Sequence, residues 1–361
     1  MVRGMLLVDF GENTCKFALV KKQEGNLEVR QWGIEDSRSL EHAADHVLEK
    51  TKGMREDVEP AFVSLPSALW RSRVLYEGVE RKNAVLRIDK KEKEAILADL
   101  SAKARSRLVK QMQDSSGILA EDIRVHAFNI LSYAIDGYAV PDILGFPGAR
   151  VDIHAMAVFT LVKHLPIVDT ILERFSGMPF RIVHCAEALE AFSCMKRQDA
   201  VYIDIGDASC SIAVVQQHVI YLDDIPRGGK DFTLHLQETL ALGENTAKDF
   251  KERYAAGDFS FLLREGVKKG FSAIAEDIGR LAAKSLAGVL ASLPPSVFLF
   301  GGASRLPEIQ EVFHGSMFER LPFHEKPRIS LLLPKDLWAV EFPGKTNPIL
   351  TPLFFLPYAS Q

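Results

Sequence analysis

One short pattern occurs twice in this sequence, once near its start and once past its middle. In residues 6–16 (LLVDFGENTCK) and 201–211 (VYIDIGDASCS), an apolar strand ends in Asp-x-Gly, and small hydroxyl and thiol residues open the next strand. Glycine at a tight hairpin turn lets backbone N–H groups converge on an anion, and a strand-terminal aspartate can hold a hydrated cation. Two such turns facing each other are predicted to hold the phosphates of a nucleotide.

A third element supports this interpretation. Residues 297–300 (VFLF) form a buried strand in the pattern and lead into 301–310 (GGASRLPEIQ), a double-glycine turn and a helix start. Backbone without Cβ can lie flat against a purine or ribose, and the guanidinium of Arg305 can stack on the base. A lone Asp-x-Gly at a strand end is most often a plain hairpin, so the prediction rests on the combination.

Composition limits the class of protein. The 361 residues, of which 47% are hydrophobic and 25% charged, suffice for more than one compact unit of an ordinary soluble protein. A net charge of −4 argues against a nucleic-acid binder that relies on phosphate neutralisation. The four cysteines contain no Cys-x-x-Cys pair, which favours a reducing cytosol over a disulfide or zinc framework.

The order of predicted elements divides the chain. A strand, turn, strand, strand and helix occur both before and after residues 65–160, which indicates an internal duplication around an insertion. Within the insertion, Asp89 begins a charged helix with an apolar stripe (Ile96, Leu97, Leu100 and Leu108). The predicted domains are a first lobe at 1–64 and 161–200, an inserted α+β interaction subdomain at 65–160, a second-lobe core at 201–228 and 296–361 whose end returns to the first lobe, and a second-lobe helical subdomain at 229–295.

These motifs resemble those of the actin and heat-shock chaperone ATPase superfamily. The stretch 301–310 is similar to the chaperone adenosine motif, and 225–232 (IPRGGKDF) is similar to the second-lobe Gly-Gly-x-Asp-Phe turn of that family. The resemblance implies an α/β, actin-like (ribonuclease H-like) fold, with two duplicated lobes and a small α+β subdomain inserted in the first. It also implies that the cofactors are ATP and Mg²⁺.

Two subfamilies remain open, and the sequence favours the first. The position of the insertion and residues 133–138 (YAIDGY) resemble FtsA, a cell-division scaffold, whereas the two phosphate turns with Lys16 and Ser211 are closer to PilM of type IV pilus assembly. Either implies an ATP-binding cytoplasmic scaffold at the inner face of the membrane. A sugar or acetate kinase on the same fold is the further alternative.

The resemblance assigns roles to individual residues. Asp9 and Asp204 position Mg²⁺ and water, and Glu187 orients the attacking water, although a carboxylate at a helix start more often caps its own helix. Lys16 stands beside the first turn, or else is a solvated strand lysine. The phosphate-binding residues implied are Gly11, Asn13, Thr14, Lys16, Gly206, Ala208 and Ser209. The residues implied to enclose the adenosine are Gly228, Gly229, Lys251, Gly301, Gly302 and Arg305.

Departures from the family pattern affect both chemistry and partners. Glu12 and Asp207 replace small or hydroxyl residues and place carboxylates near the phosphates, so we expect weak or absent hydrolysis. The C-terminal stretch 348–361 contains three prolines and no Lys or Arg, unlike the basic membrane helix of FtsA. We therefore expect membrane contact only through a partner, either a tubulin-like division protein or a short peptide of a membrane assembly protein. Self-association into filaments or dimers is also expected.

The loop at 141–148 in the insertion groups three apolar residues, Ile143, Leu144 and Phe146. Such a group is either tucked under its own sheet or presented to a neighbouring molecule. Both alternatives remain open at the level of sequence.

Overall fold

A computed structural model describes residues 4–12, 14–23, 26–36, 39–52, 58–258, 261–289, 291–341 and 347–360. The chain divides into two compact units. Unit 1 comprises residues 1–66, 171–217 and 223–361, and unit 2 comprises 67–170 and 218–222. Among the described residues, no helix has both the length and the hydropathy needed to cross a bilayer.

The first sheet of unit 1 is built around the first Asp-x-Gly strand. Its strands are β1 Gly4–Phe10, β2 Thr14–Gln23, β3 Asn26–Asp36, β4 Val58–Ser64, β9 Phe180–Ile182 and β15 Ala339–Glu341. They lie in the order β15-β3-β2-β1-β4-β9, in which β1 pairs antiparallel with β2 and parallel with β4. The antiparallel β1-β2-β3 start is the one that the alternating apolar pattern predicts.

The second sheet repeats this arrangement. Its strands are β10 Ala200–Ile205, β11 Cys210–Gln216, β12 His218–Ile225, β13 Ser296–Phe300 and β14 Arg328–Leu331. Their order is β12-β11-β10-β13-β14, with β10 antiparallel to β11 and parallel to β13. The series β3-β2-β1-β4-β9 and β12-β11-β10-β13-β14 therefore correspond strand by strand, which confirms the internal duplication.

Unit 2 contains a four-stranded sheet covered by one long helix. The elements are β5 Arg71–Glu80, β6 Ile123–Ile135, β7 Tyr138–Val140, β8 Arg150–Leu161 and the helix α2 Lys90–Ser116. The strand order is β5-β8-β6-β7. The side chain of Asp89 caps α2 by accepting from the amide of Glu92, as predicted. The carboxylate of Glu92 binds Arg81 through two 2.9 Å contacts.

The remaining helices run between the strands. The longest of them ends at Leu286, ahead of the two prolines at 294–295 and of Leu293, which forms an isolated bridge to Phe323. The bounds are α1 Leu40–Lys50, α3 Leu165–Phe175, α4 Cys185–Lys196, α5 Gly229–Leu240, α6 Glu244–Ala255, α7 Phe261–Leu286, α8 Pro307–Phe313, α9 Ser316–Glu319, α10 Pro334–Leu337 and α11 Thr351–Phe355.

The proline-rich end of the chain is core. The short helix α11 begins with a proline in its first turn, where the missing N–H leaves no hydrogen bond unmade. Phe354 and Phe355 are fully buried. The ring of Phe355 lies 5.3 Å from Phe192 of α4 and 5.7 Å from Phe300 of β13, while α11 also packs on β1. This segment therefore joins the two sheets of unit 1.

Candidate functional site

The two Asp-x-Gly turns have the same geometry. The amide of Gly11 donates to the carbonyl oxygen of Thr14 at 2.8 Å, and the amide of Gly206 donates to that of Ser209 at 3.0 Å. These two amides close their own turns, and the predicted contact of Gly11 and Gly206 with phosphates stays a prediction. Asn13 lies outside the described residues.

Glycine at the first turn leaves room beside two polar groups. A Cβ on Gly11 would lie 3.5 Å from Oγ1 of Thr14 and 3.7 Å from Nζ of Lys16, and only 2.9 Å from the Thr14 carbonyl. A hydroxyl and an ammonium thus border the space that the missing side chain leaves open. An anionic oxygen fits such a place.

The ammonium of Lys16 joins the two halves of the site. Nζ donates to Oδ2 of Asp9 at 2.8 Å, across the register of β1 and β2, and both side chains are largely buried. Burial by itself would lower the pKa of Lys16, but the carboxylates of Asp9 and Asp204 together raise it. Lys16 is thus a charged site residue, not a solvated strand lysine.

Asp204 has no such cation in its own hairpin, all of which the structure describes. Its register partner on β11 is Ser211, whose hydroxyl donates to Asp224 at 2.6 Å. Burial raises the pKa of Asp204 to about 6, and Asp9 and Asp224 act in the same direction while Lys16 opposes them. One ammonium therefore faces two carboxylates, and negative charge remains at the site.

This donor set suits a divalent cation. Carboxylate oxygens are ligands that Mg²⁺ prefers, and a buried aspartate whose pKa is raised has charge left to neutralise. Asp9 and Asp204 would hold the ion, as the resemblance implies. Lys16 already neutralises part of their charge, so the ion fits as a companion of bound phosphates.

The unexpected carboxylate of Asp207 has a structural partner. The ammonium of Lys251 lies 3.5 Å from Oδ1 of Asp207 and donates at 2.9 Å to both the Gly229 carbonyl and the Thr233 hydroxyl. Lys251 is buried. These contacts make Lys251 a clamp between α6, α5 and the second turn, and its predicted contact with the adenosine stays a prediction.

The turn at Gly228 and Gly229 also holds the second Asp-x-Gly turn in place. The amides of Gly229 and Lys230, at the start of α5, donate to the carbonyls of Gly206 and Asp207 at 2.9 and 2.7 Å. A Cβ on Gly228 would lie 2.6 Å from the carbonyl oxygen of Asp207, which only glycine allows. Gly228 and Gly229 thus fix the second turn, and their predicted contact with adenosine stays a prediction.

Glu12 faces the second turn. Burial and the carboxylate of Asp207 raise the pKa of Glu12, and Lys230 partly offsets them. The two turns therefore lie near each other, as the sequence predicted, and the substituted carboxylates do repel. Sequence reasoning missed Lys230, although it occupies the variable position of the Gly-Gly-x-Asp-Phe motif.

The late double glycine passes close behind Asp204. Gly301 has φ +85°, and a Cβ there would overlap Oδ1 of Asp204 and lie 2.6 Å from the Ile205 carbonyl. At Gly302 a Cβ would make only ordinary contact, 3.5 Å from Ile349. Arg305 is partly exposed and lies 3.9 Å from Glu252. The turn is thus built against the second Asp-x-Gly strand.

Glu187 caps its own helix. Its carboxylate accepts from the amide of His184 at 2.9 Å, and the His184 ring accepts from the amide of Ala186 at 3.0 Å. This capping box accounts for a carboxylate at this position. A water-orienting role for Glu187 stays a prediction.

The four cysteines are free thiols, as their spacing predicted. Cys15 and Cys210 occupy matching places, opposite Phe10 and Ile205 in their hairpins. Burial raises the pKa of both thiols, so they stay protonated and unreactive.

Comparisons with known proteins bear on the fold. No protein-family model matches the sequence, and no curated protein is similar to it. A PilM–PilN type IV pilus biogenesis complex is similar in structure, with a TM-score of 0.68 and 14% identity over 98% of this chain and 97% of that one. The ethanolamine utilization protein EutJ from Carboxydothermus hydrogenoformans gives a TM-score of 0.53, with 11% identity over 99% and 89%. The chain has an actin-like ATPase fold.

The actin-like fold confirms what the duplicated motifs predicted. A diol dehydratase-reactivating factor in nucleotide-free form shares it too, with a TM-score of 0.50 and 8% identity over 99% of this chain and 100% of that one. At such identities the likeness shows the fold alone. Of the two subfamilies considered, it supports the PilM-like alternative better than FtsA, which the sequence had favoured.

Proposed function

We propose that this chain is an ATP-binding scaffold protein of the PilM type. The observation that carries the proposal is the convergence of two matching turns on one buried ammonium, that of Lys16, between Asp9 and Asp204. Actin-like ATPases use duplicated turns of this kind, and by this resemblance the nucleotide's phosphates are proposed to bind there.

The residues around this centre divide the work of binding. Lys16 and the hydroxyls of Thr14 and Ser209 contact the phosphates, and Mg²⁺ neutralises phosphate charge when it is bound. The Gly301-Gly302 turn and Arg305 contact the adenosine. Gly228, Gly229 and Lys251 hold the second turn in place from behind.

Hydrolysis is slow in this proposal. Glu12 adds negative charge where the transition state of phosphoryl transfer gathers its own. The carboxylate of Asp207 adds less, because Lys251 partly neutralises it.

Nucleotide binding can be tested by calorimetry and thermal unfolding. Millimolar Mg-ATP raises the melting temperature, because a ligand selective for the native state stabilises it by RT ln(1 + [L]/Kd). The double variant Thr14→Ala, Ser209→Ala weakens binding at least about tenfold, since it removes two hydrogen bonds to charged groups. The control is Ser115→Ala, Ser116→Ala at the end of α2. No binding heat and no shift for the wild type would refute the proposal.

The partner of this scaffold is a short peptide of a membrane assembly protein. The support is the structural likeness to a protein solved in complex with PilN. We propose a cytoplasmic location at the inner face of the membrane, reached through that partner. Fluorescence polarisation with short cytoplasmic segments of membrane proteins encoded beside this chain tests it.

Self-association and enzyme activity complete the proposal. The scaffold forms dimers or filaments with ATP, which sedimentation velocity with and without nucleotide measures. The kinase alternative predicts phosphate transfer to small acceptors such as sugars or acetate. Transfer at rates typical of kinases would replace the scaffold proposal.

A further inference from the structure

One loop of unit 2 exposes apolar side chains at its tip and basic side chains on both sides. Residues 81–91 (RKNAVLRIDKK) connect β5 to α2 and include the first two residues of α2. Val85 is 85% exposed and Leu86 is 61% exposed. Burying such residues in water-free surroundings is favourable, so their outward position calls for an explanation.

A second loop extends the apolar tip. The amide of Ile88 donates to the Phe146 carbonyl at 3.0 Å, and the amide of Gly145 donates to the Ile88 carbonyl at 2.9 Å. Leu144 and Phe146 are exposed beside this junction, while Ile143 is fully buried in the core of unit 2. In the loop at 141–148, Ile143 is therefore tucked under its own sheet, while Leu144 and Phe146 are open to solvent.

Hydrogen bonds from two polar side chains fix the conformation of this loop. The guanidinium of Arg81, whose side chain is almost fully buried, donates to the carbonyls of Leu86 and Gly148 at 2.9 and 2.6 Å and binds Glu92. The Asn83 side chain accepts from the amides of Val85 and Leu86. The apolar side chains are thus fixed outward before any partner arrives.

The surroundings of the tip are positively charged. Lys82, Arg87, Lys90 and Lys91 are exposed, and in the described parts of the chain no carboxylate lies within ion-pair distance of them. Nearby carboxylates are mostly engaged: Asp89 caps α2, Glu92 binds Arg81, and Asp142 binds Lys93 at 2.5 Å. Glu94, one turn into α2, is exposed at the helix surface. The net local charge is positive.

We propose that this tip, defined as Val85, Leu86, Leu144 and Phe146, docks on the surface of an anionic lipid bilayer. Apolar residues enter the interfacial region while lysine and arginine bind lipid headgroups, a combination typical of peripheral membrane binding. A bilayer fits better than a peptide, because the most exposed apolar residues stand at the end of a loop and the cations have no fixed acceptors among the described residues. This direct contact adds to the partner-mediated one.

The test is sedimentation of the full chain with vesicles. Vesicles of equal parts phosphatidylglycerol and phosphatidylcholine bind the wild type, and vesicles of phosphatidylcholine alone do not. Binding weakens as salt rises, because the charges are solvent-exposed. Lys82→Gln, Arg87→Gln lowers the partition coefficient about twenty-five-fold, since each basic residue near the surface contributes about fivefold.

Matched controls separate docking from general charge and hydrophobicity. Arg105→Gln, Lys110→Gln removes the same two charge types further along α2 and leaves the partition coefficient unchanged. Val85→Glu, Leu86→Glu abolishes binding, whereas Leu119→Glu, at another exposed leucine of unit 2, does not. Val85→Trp reports insertion directly. The emission of the added indole, obtained by subtracting the wild-type fluorescence, shifts to the blue when anionic vesicles are present.

Three results would overturn the proposal. The first is that the wild type fails to bind the anionic vesicles. The second is that Lys82→Gln, Arg87→Gln and Val85→Glu, Leu86→Glu both bind as the wild type does. The third is that the indole added by Val85→Trp keeps the emission of a water-exposed group. The tip is a protein interface if the wild type does not bind vesicles and Val85→Glu, Leu86→Glu abolishes self-association or binding to an acidic peptide. Nucleotide binding is measured alongside and is unaffected by these variants.

Discussion

Two neighbouring glycines at the end of β13, Gly301 and Gly302, have different structural surroundings. Gly301 has a backbone conformation and a neighbour, Asp204, that leave no space for a side chain, whereas Gly302 meets only ordinary contacts. Sequence alone treats the pair as equivalent. Gly301 is required by the fold, and Gly302 is proposed to contact the adenosine.

This difference gives the first prediction. Gly301→Ala destabilises the protein by at least about 2 kcal/mol, because a Cβ is strained at positive φ and overlaps Asp204. Gly302→Ala leaves the free energy of unfolding within about 0.5 kcal/mol of the wild type and weakens ATP binding. Urea unfolding and calorimetry of both variants measure this, and equal stability of the two variants would contradict it.

Asp204 gives the second prediction, on pH. Its folded pKa of about 6 lies above the ordinary value of 3.8, so the folded state binds the proton more tightly than the unfolded state. Without nucleotide, the free energy of unfolding therefore falls as the pH rises from about 4 through 6, by up to about 3 kcal/mol from this group.

Asp204→Asn is the variant for that measurement. It cannot titrate, so its unfolding free energy loses this component of the pH dependence. Urea titrations of both proteins at several pH values give the difference. Parallel curves for variant and wild type across the interval would show that Asp204 has an ordinary pKa.

At the scale of elements, the start of α5 and the middle of α6 act together on the second turn. Lys251 reaches from α6 to the Gly229 carbonyl, the Thr233 hydroxyl and the Asp207 carboxylate. The amides at the start of α5 bind the carbonyls of the same turn. The helices α5 and α6 therefore shape the second turn of the proposed phosphate site.

A double-mutant cycle tests this coupling. Lys251→Met destabilises the protein by about 3 kcal/mol, because Asp207 loses the ammonium 3.5 Å away and the Gly229 carbonyl and Thr233 hydroxyl each lose one donor. Asp207→Asn in the Lys251→Met background recovers about 1 kcal/mol or more. Strictly additive effects in urea unfolding would mean that the 3.5 Å pair contributes nothing.

At the scale of the whole molecule, the proline-rich end of the chain connects the duplicated halves of unit 1. β15 pairs with β3 in the first sheet, and α11 packs on β1 while Phe355 contacts Phe300 of the second sheet. The two sheets share this segment. We therefore expect them to unfold as one cooperative unit.

Phe355→Ala measures that connection. It destabilises unit 1 by about 3–5 kcal/mol, since removal of a fully buried ring leaves a cavity between the aromatic rings of Phe192, Tyr202 and Phe300. Exposed Phe146→Ala is the matched control and changes stability little. Hydrogen exchange that loses protection in β1 and β10 together supports the shared segment, and loss in β10 alone contradicts it.

Local patterns determined much of this protein from sequence. The hairpin turns after Asp9 and Asp204, the cap at Asp89 and the duplicated strand order follow from short-range spacing and alternation, and the structure confirms them. These features depend on neighbouring residues, whose geometry a sequence states directly. The actin-like fold followed from their combination.

The tertiary structure alone decided which charges meet. Lys16 faces Asp9 and Asp204, Lys251 lies 3.5 Å from Asp207, and the C-terminal prolines lie in the core. Asp9 and Lys16 are close in the chain, as register partners of one hairpin. The other contacts join residues far apart in the chain, so no periodicity or spacing encodes them. Burial then strengthens these interactions. It holds the ammonium of Lys251 against the second turn and that of Lys16 between two carboxylates, and it raises the pKa of Asp204.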